Sequence, residues 1–277
     1  MSNVITVLYS NVLGKMKTLK NIERIDAEDR QALTLLANAL KLESPVYAII
    51  CKNTALPQLV MLRDAEKNIS KLAILLFSEK EVAEQEAMRW GTENVFVADL
   101  PKFLLKDKVP IDIRSAFYEK CRLLGVEEAL LNPHDGKAEL RIPMHLLAEA
   151  AAESDQDKVN RHVNGAITLL KQETCAGKLA APLLLEKEVM QKMRFAFFLL
   201  PTMDSHPLIF NDQEYGNSLY LFMNRTEAAA YKGELSNVLL EDLLPLIEER
   251  KLPCVINPFS LKFYLDGSFI QRYKEIC

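Results

Sequence analysis

Ser78-x-x-Glu81 and Asn224-x-x-Glu227 each set a hydroxyl or an amide one helical turn ahead of a carboxylate. That spacing could place an acid beside a polar group. It is also the capping box, in which the first side chain and the glutamate satisfy the orphan amides of a helix start. We read both motifs as caps. Asn132-Pro133 and Asn257-Pro258 each follow an apolar run. Proline lacks a donor and restrains the residue before it, and asparagine closes local side-chain turns, so both pairs read as strand ends. Their functional alternative is a pair of amides facing a groove at the ends of strands, where open sheets bind ligands. On that reading the candidate ligand-binding residues are Asn132, His134, Asp135 and Asn257. Asp99-Leu100 and Asp242-Leu243 could pair as acids across a pseudo-two-fold, although the helix dipole alone favours aspartate at a helix start.

Other reactive residue types lie scattered. His134, His145, His162 and His206 form no H-x-x-x-H or H-E-x-x-H pattern, so no metal site is expected. His162 is expected to be partly exposed and hydrogen-bonded on a helix. Cys51, Cys121, Cys175, Cys254 and Cys277 are odd in number and widely spaced, with no C-x-x-C, which argues against a disulfide framework and a zinc site. Cys51 and Cys254 lie in apolar strands, where thiols act as small hydrophobes. Cys121, between Lys120 and Arg122, would have a lowered pKa if it were exposed. No G-x-S-x-G, G-x-x-x-x-G-K-[ST] or G-x-G-x-x-G occurs. The reading therefore assigns no catalytic residue and no cofactor.

The elements that must position these residues come from the wider pattern. The chain has 277 residues, 49% hydrophobic and 26% charged, with a net charge of −4. That balance excludes a strongly basic nucleic-acid binder as the default. The one basic cluster, Lys15, Lys17, Lys20 and Arg24, lacks interleaved aromatics and reads as a solvated face. The N-terminus has no basic leader before an apolar run, and no stretch approaches the roughly 18 apolar residues of a membrane helix. A cytoplasmic protein with free thiols is expected, with neither nucleic acid nor membrane as partner.

One unit is written twice. Ser78-Glu79-Lys80-Glu81 corresponds to Asn224-Arg225-Thr226-Glu227, the segment Asn94–Leu100 to Asn237–Leu243, and Ala129–Pro133 to Cys254–Pro258. The first copy carries about 18 extra residues, Lys102–Glu119, before the last landmark. Each copy starts with a helix, with Leu33, Leu36, Ala37 and Leu40 on one face and Val159, Val163, Ile167 and Leu170 on the other copy's. Asp26 and Ser154 are the expected N-caps. Strands are expected at Pro45–Cys51, Gln58–Leu62 and Lys71–Phe77, and at Ala180–Leu185, Arg194–Leu200, Pro207–Phe210 and Ser218–Met223. A helix, a short strand at Val95–Ala98 or Val238–Leu240, a helix at Leu100–Leu105 or Asp242–Arg250, and a buried strand ending at Asn-Pro complete the unit. Such a run predicts an α+β fold: two tandem, similar domains, each a mixed sheet packed with helices. The first spans residues 1–143, with an N-terminal extension over Met1–Arg24. The second spans 144–277 behind a helical bridge.

The order of strand, S/N-x-x-E cap, helix, short strand with Asp-Leu, helix and Asn-Pro resembles the N-terminal module of the SseB family, the enhanced serine sensitivity proteins. The second copy carries it over Ser218–Ile270 and the first over about Pro45–Ile142. The glycine usual after Asn-Pro is replaced by His134 and Phe259. The resemblance implies a bacterial cytoplasmic protein without an established catalytic site, and it carries no catalytic residue across. The expected function is non-catalytic binding of a protein or peptide, with a homodimer as a further option. Phe195, Phe197, Phe198, Tyr220 and Phe222 are expected to be mostly core, a few surfacing as anchors. The alternative is a small-molecule sensor or enzyme with a pocket at the domain junction.

Overall fold

Apolar spacing winds helix α1 (Ala27–Leu42): Leu33, Leu36, Ala37 and Leu40 are buried on one face, and Thr34, Leu35 and Asn38 stand exposed. The computed structural model describes residues 27–42, 45–64, 69–106, 109–133, 140–148, 154–177 and 180–277. The extension over Met1–Arg24 and the cap Asp26 lie outside them. The fold is α+β, with helices covering mixed sheets. The chain divides into two units, Met1–Ala151 and Ala152–Cys277.

In the first unit, strands β1 (Tyr47–Cys51), β2 (Leu56–Pro57), β3 (Leu59–Asp64) and β4 (Ile69–Phe77) lead into helix α2 (Lys80–Trp90) and strand β5 (Val95–Asp99). A hairpin, β6 (Phe103–Lys106) with β7 (Val109–Asp112), precedes helix α3 (Ile113–Leu123). Strands β8 (Val126–Leu131) and β9 (Leu140–Pro143) and the short helix α4 (Met144–Leu147) follow. Strand β4 pairs in parallel with β8, in register Ile74↔Ala129 to Leu76↔Leu131, and β9 adds antiparallel to β8. On its other side β4 pairs antiparallel with β3 and, at its end, with β1. Segments β2 and β3 turn a corner between those neighbours at Gln58, whose N–H donates to Ile49 O at 2.9 Å.

In the second unit, helices α5 (Asp155–Cys175) and α6 (Ala180–Met193) come first. Strands β10 (Phe197–Met203), β11 (His206–Pro207), β12 (Ile209–Asp212), β13 (Gly216–Leu221) and β14 (Glu234–Leu239) follow. Helix α7 (Leu240–Arg250), strands β15 (Cys254–Ile256) and β16 (Phe263–Leu265), and helix α8 (Gly267–Ile276) complete it. The pairing order β12–β13–β15–β16 runs in the same directions as β3–β4–β8–β9, with β13 and β15 parallel from Leu219↔Cys254 to Leu221↔Ile256. The corner recurs too: Leu208 N–H donates to Pro201 O at 2.9 Å between β11, paired with β10, and β12, paired with β13.

One face of each sheet is closed by the helices that flank it. In the first unit Tyr118 and Cys121 of α3 and Leu36 and Leu40 of α1 are buried, as are Ile74, Leu76, Ala129 and Ile142 on one side of the sheet. In the second, Leu219, Leu221, Cys254, Ile256 and Leu265 are fully buried, and Phe269 of α8 meets Phe263 edge to face at 5.8 Å. Ser154 caps α5 as its spacing suggests, exchanging bonds with Asp157.

Several expected elements differ. Ala180–Leu185 opens helix α6 rather than a strand: it has no β-branched residue, and Pro182 sits in the first turn, where an amide would have no helical acceptor. The helix expected over Leu100–Leu105 is the β6–β7 hairpin. Pro101 drives Leu100 away from the helical region, and Val109 and Ile111 favour extension. The segment after Asn224 makes successive turns over residues 225–230, not a helix. Asp99 ends a strand opposite Tyr47 while Asp242 sits in the first turn of α7, accepting Leu239 N–H at 3.3 Å, so the two aspartates are not equivalent. The first unit reaches past the expected 143 because α4 packs against α1, α3, β8 and β9.

Candidate functional site

The two Asn-Pro pairs do matching work in the two units. Asn132 follows β8 at φ +46°, and its N–H donates to Leu76 O at 2.8 Å. Its Oδ1 accepts Ser78 N–H at 2.9 Å, and its Nδ2 donates to Ser78 Oγ at 3.0 Å. Asn257 follows β15 at φ +49°, and its N–H donates to Leu221 O at 2.8 Å. Its Oδ1 accepts Met223 N–H at 3.0 Å, and its Nδ2 donates to Asn164 Oδ1, in the middle of α5, at 3.0 Å. Each asparagine thus carries a parallel strand pair two residues beyond its ladder. Asparagine tolerates the left-handed backbone that this requires. Strand termination is what the sequence suggests for these pairs, and the amides are held by protein groups. Asn132 belongs to the first unit and Asn257 to the second. The other two candidate residues, His134 and Asp135, lie outside the described residues.

Ser78 corrects the capping assignment. It is buried and its hydroxyl serves Asn132, while the N-cap of α2 is Glu79, which makes no side-chain cap bond. Asn224 does accept Glu227 N–H, at 2.9 Å, and Glu227 takes the Ser260 hydroxyl. Replacing Ser78 with alanine should lower the stability of the first unit by about 1 kcal/mol, the worth of one part-buried hydrogen bond. Urea unfolding would read it, and an unchanged midpoint would remove the clamp from the account.

The thiols divide by burial. Cys51, Cys121 and Cys254 are buried, Cys175 is exposed and Cys277 is intermediate. Burial pushes the Cys121 thiol well up despite Lys120 beside it, and pushes Cys254 up to about 12. The lowered pKa considered for Cys121 required exposure, which the fold denies. A thiol reagent at neutral pH should therefore modify Cys175 first and reach Cys51, Cys121 and Cys254 only on unfolding; rapid loss of all five thiols in the native state would contradict this burial. Among the described residues no cluster of three His, Cys, Asp or Glu could hold a metal ion.

His162, on α5, is partly buried, and its pKa is lowered first by burial and then by Arg161 and Lys192. The unfolded chain therefore binds a proton at this site more readily. Its contribution to stability is complete above pH ~6.5 and declines as pH falls from there through the lower folded pKa. His162→Gln should flatten that acid-side decline in thermal melts between pH 7 and 5. A wild-type slope in the variant would assign the decline to other groups.

The feature the sequence reading did not isolate is a row of rings. Register places Tyr220, Val255 and Tyr264 side by side on three adjoining strands, on the face opposite Leu219, Cys254 and Leu265; Val255, between the two rings, is fully buried. Phe210 stacks on Tyr220 with centroids 4.3 Å apart, and Tyr215 on Tyr264 at 4.2 Å. Tyr231 and Phe259 meet this group edge to face, and Phe259 is 53% exposed. The Tyr220 hydroxyl donates to Asp212 Oδ2 at 2.7 Å. On the corresponding face of the first unit, Ala83 and Ala87 of α2 join Ala73, Leu75, Phe77 and Leu130 in one buried cluster. The second unit has the turns over 225–230 at the corresponding place in the chain, so its tyrosines stay half-exposed. The period-2 spacing that puts Phe210 with Asp212, and Ser218 with Tyr220, on one strand face was the available signal. Among the aromatics singled out from sequence, Phe198 and Phe222 are core, whereas Phe195 and Phe197 surface.

No protein-family model matches the chain, and no curated protein does. Among solved structures the chain is similar to Anabaena Tic22 (protein transport), at 12% identity and a TM-score of 0.19 over 78% of this chain and 86% of that one. It is also similar to Tic22 from Plasmodium falciparum, at 11% identity and a TM-score of 0.18 over 79% of this chain and 90% of that one. Scores of that size do not establish a common fold.

Proposed function

We propose that the chain acts by binding a protein or peptide, as a non-catalytic, SseB-like bacterial cytoplasmic protein made of two diverged copies of one α+β module. The observation that carries this reading is the half-exposed aromatic face of the second unit, where rings gather in a way that suits anchoring a partner. The duplication is supported by the shared strand order of β3–β4–β8–β9 and β12–β13–β15–β16, the repeated corner, and the paired clamps at Asn132 and Asn257. Among the described residues no helix is long and apolar enough to cross a membrane. The divergence also fits a binding role: one copy keeps a helix over its sheet face and the other has lost it.

Affinity purification of the chain at native expression, quantified by mass spectrometry, tests the reading. A protein recovered in near-stoichiometric amount is the expected result. Recovery of the chain alone, with a metabolite raising its melting temperature by several degrees, would replace the reading with a small-molecule sensor.

A further inference from the structure

The aromatic face of the second unit has an electrostatic character as well as a shape. Three carboxylates stand against its tyrosines. Asp212 holds the Tyr220 hydroxyl, exposed Glu214 neighbours Tyr215, and Asp266 lies two residues from Tyr264 and acts on its ring hydroxyl. Two cations oppose them. Lys262 acts on Asp212, and Arg272 acts on Asp266 but is itself paired with Glu186 at 2.7 Å. Two stacked ring pairs therefore lie in a field with an excess of negative charge. Aromatic faces attract cations through their quadrupole, and arginine adds planar stacking and a fork of donors for carboxylates.

Resting on the reading of the chain as a binding protein, we infer that the face built by Tyr215, Tyr220 and Tyr264 with Asp212 and Glu214 docks a basic, arginine-containing segment of a partner protein. A guanidinium laid over the exposed side of the Tyr215–Tyr264 stack lies beside the Glu214 carboxylate, so stacking and ion pairing act on one group. Tyr220 and Tyr264 stand on either side of Val255, which is fully buried, so the segment meets the two ring stacks. Among its described residues the first unit offers no such place. There α2 covers the equivalent face, and the row that begins with Leu75 and Leu130 ends in Arg141.

The test uses the full chain and a fluorescein-labelled 12-residue peptide of arginine alternating with serine and alanine, read by anisotropy. Its controls carry citrulline or glutamate in place of each arginine. The arginine peptide should bind at least about tenfold more tightly than either control, and added salt should weaken it. The Tyr215→Ala/Tyr264→Ala double variant should bind it about threefold to tenfold more weakly. Glu214→Lys, at an exposed position, should weaken it about threefold without touching a ring. Circular dichroism and melting of both variants confirm that they fold. Equal binding of the citrulline peptide, or unchanged binding by both variants, would overturn the inference. So would a monomer–dimer equilibrium abolished by the double variant, since a second copy would then occupy the face. A stoichiometric partner recovered equally by wild type and double variant would overturn this site while leaving the binding function standing.

Discussion

Asn257→Ala is expected to destabilise the second unit by about 3–4 kcal/mol and to lower its melting midpoint by about 10–15 °C. The reasoning counts what the amide does. Asn257 is 1% exposed, and its Oδ1 is the acceptor for Met223 N–H, in a residue that is itself fully buried. Alanine leaves that N–H without this acceptor, a loss of about 1–3 kcal/mol for a buried backbone donor. It also withdraws the donor from Asn164, uncoupling α5 from the end of β15. Finally it forces a β-carbon without a compensating side chain into the left-handed region at φ +49°, which adds roughly 1 kcal/mol. Asn257→Gly separates these contributions. It relieves the backbone but not the lost bonds, so it should recover about 1 kcal/mol relative to alanine. Asn257→Asp keeps the acceptor, loses the donor and buries a charge, and should fall near alanine. Denaturant unfolding followed by far-UV circular dichroism reads all three. Because the chain has two units, the change should appear in one transition if the units unfold separately. A shift below about 1 kcal/mol for Asn257→Ala would mean that water replaces the amide, and the clamp would lose its place in the account.

Arg114→Ala is expected to remove about 3–5 kcal/mol from the first unit. The side chain is fully buried on α3. Its Nε and Nη2 donate to Leu100 O at 2.9 and 2.5 Å, and its Nη1 donates to Leu40 O at 3.1 Å. Leu40 lies in the last turn of α1, where carbonyls have no helical donor, and a cation is favoured there by the helix dipole. The Tyr118 hydroxyl donates to the same oxygen at 3.1 Å, and burial pushes its pKa well up, so it remains a donor across the neutral range. One residue thus ties the end of α1 to the stretch that leaves β5 for the hairpin. Alanine removes these bonds and opens a cavity. Arg114→Lys retains the charge but reaches the two carbonyls with a point rather than a fork, and should lose about half as much. Arg114→Met fills the space without donors and isolates the hydrogen-bond share. If methionine matched wild type in urea, packing and not the carbonyl bonds would be what Arg114 supplies.

Much of the fold was readable along the chain because the cues are local. The α1 stripe of Leu33, Leu36 and Leu40, the capping pair Ser154 and Asp157, and the apolar runs at Lys71–Phe77 and Cys254–Ile256 each act within a few residues, where periodicity and capping operate. The α+β class follows from those same runs. The errors arose where a local cue had two solutions. Ala180–Leu185 is apolar enough for a strand and rich enough in alanine and leucine for a helix, and Pro182 in the first turn and the absence of β-branched residues favour the helix. Ser78 could cap α2 or meet Asn132, and only the parallel pairing of β4 with β8 brings Asn132, 54 residues on, within reach.

The amino-acid sequence by itself determined the α+β class, the helices α1 and α5, and the strand ends at Asn132 and Asn257. Tertiary structure decided the rest: that Arg114 would be buried on two carbonyls far apart in sequence, that Cys121 would be sealed, and that Tyr215, Tyr220 and Tyr264 would gather as half-buried rings on one side of a sheet. The physical reason is range. Helix and turn preferences are settled among neighbours, whereas a shared cluster of rings exists only once strands distant in the chain have chosen their partners.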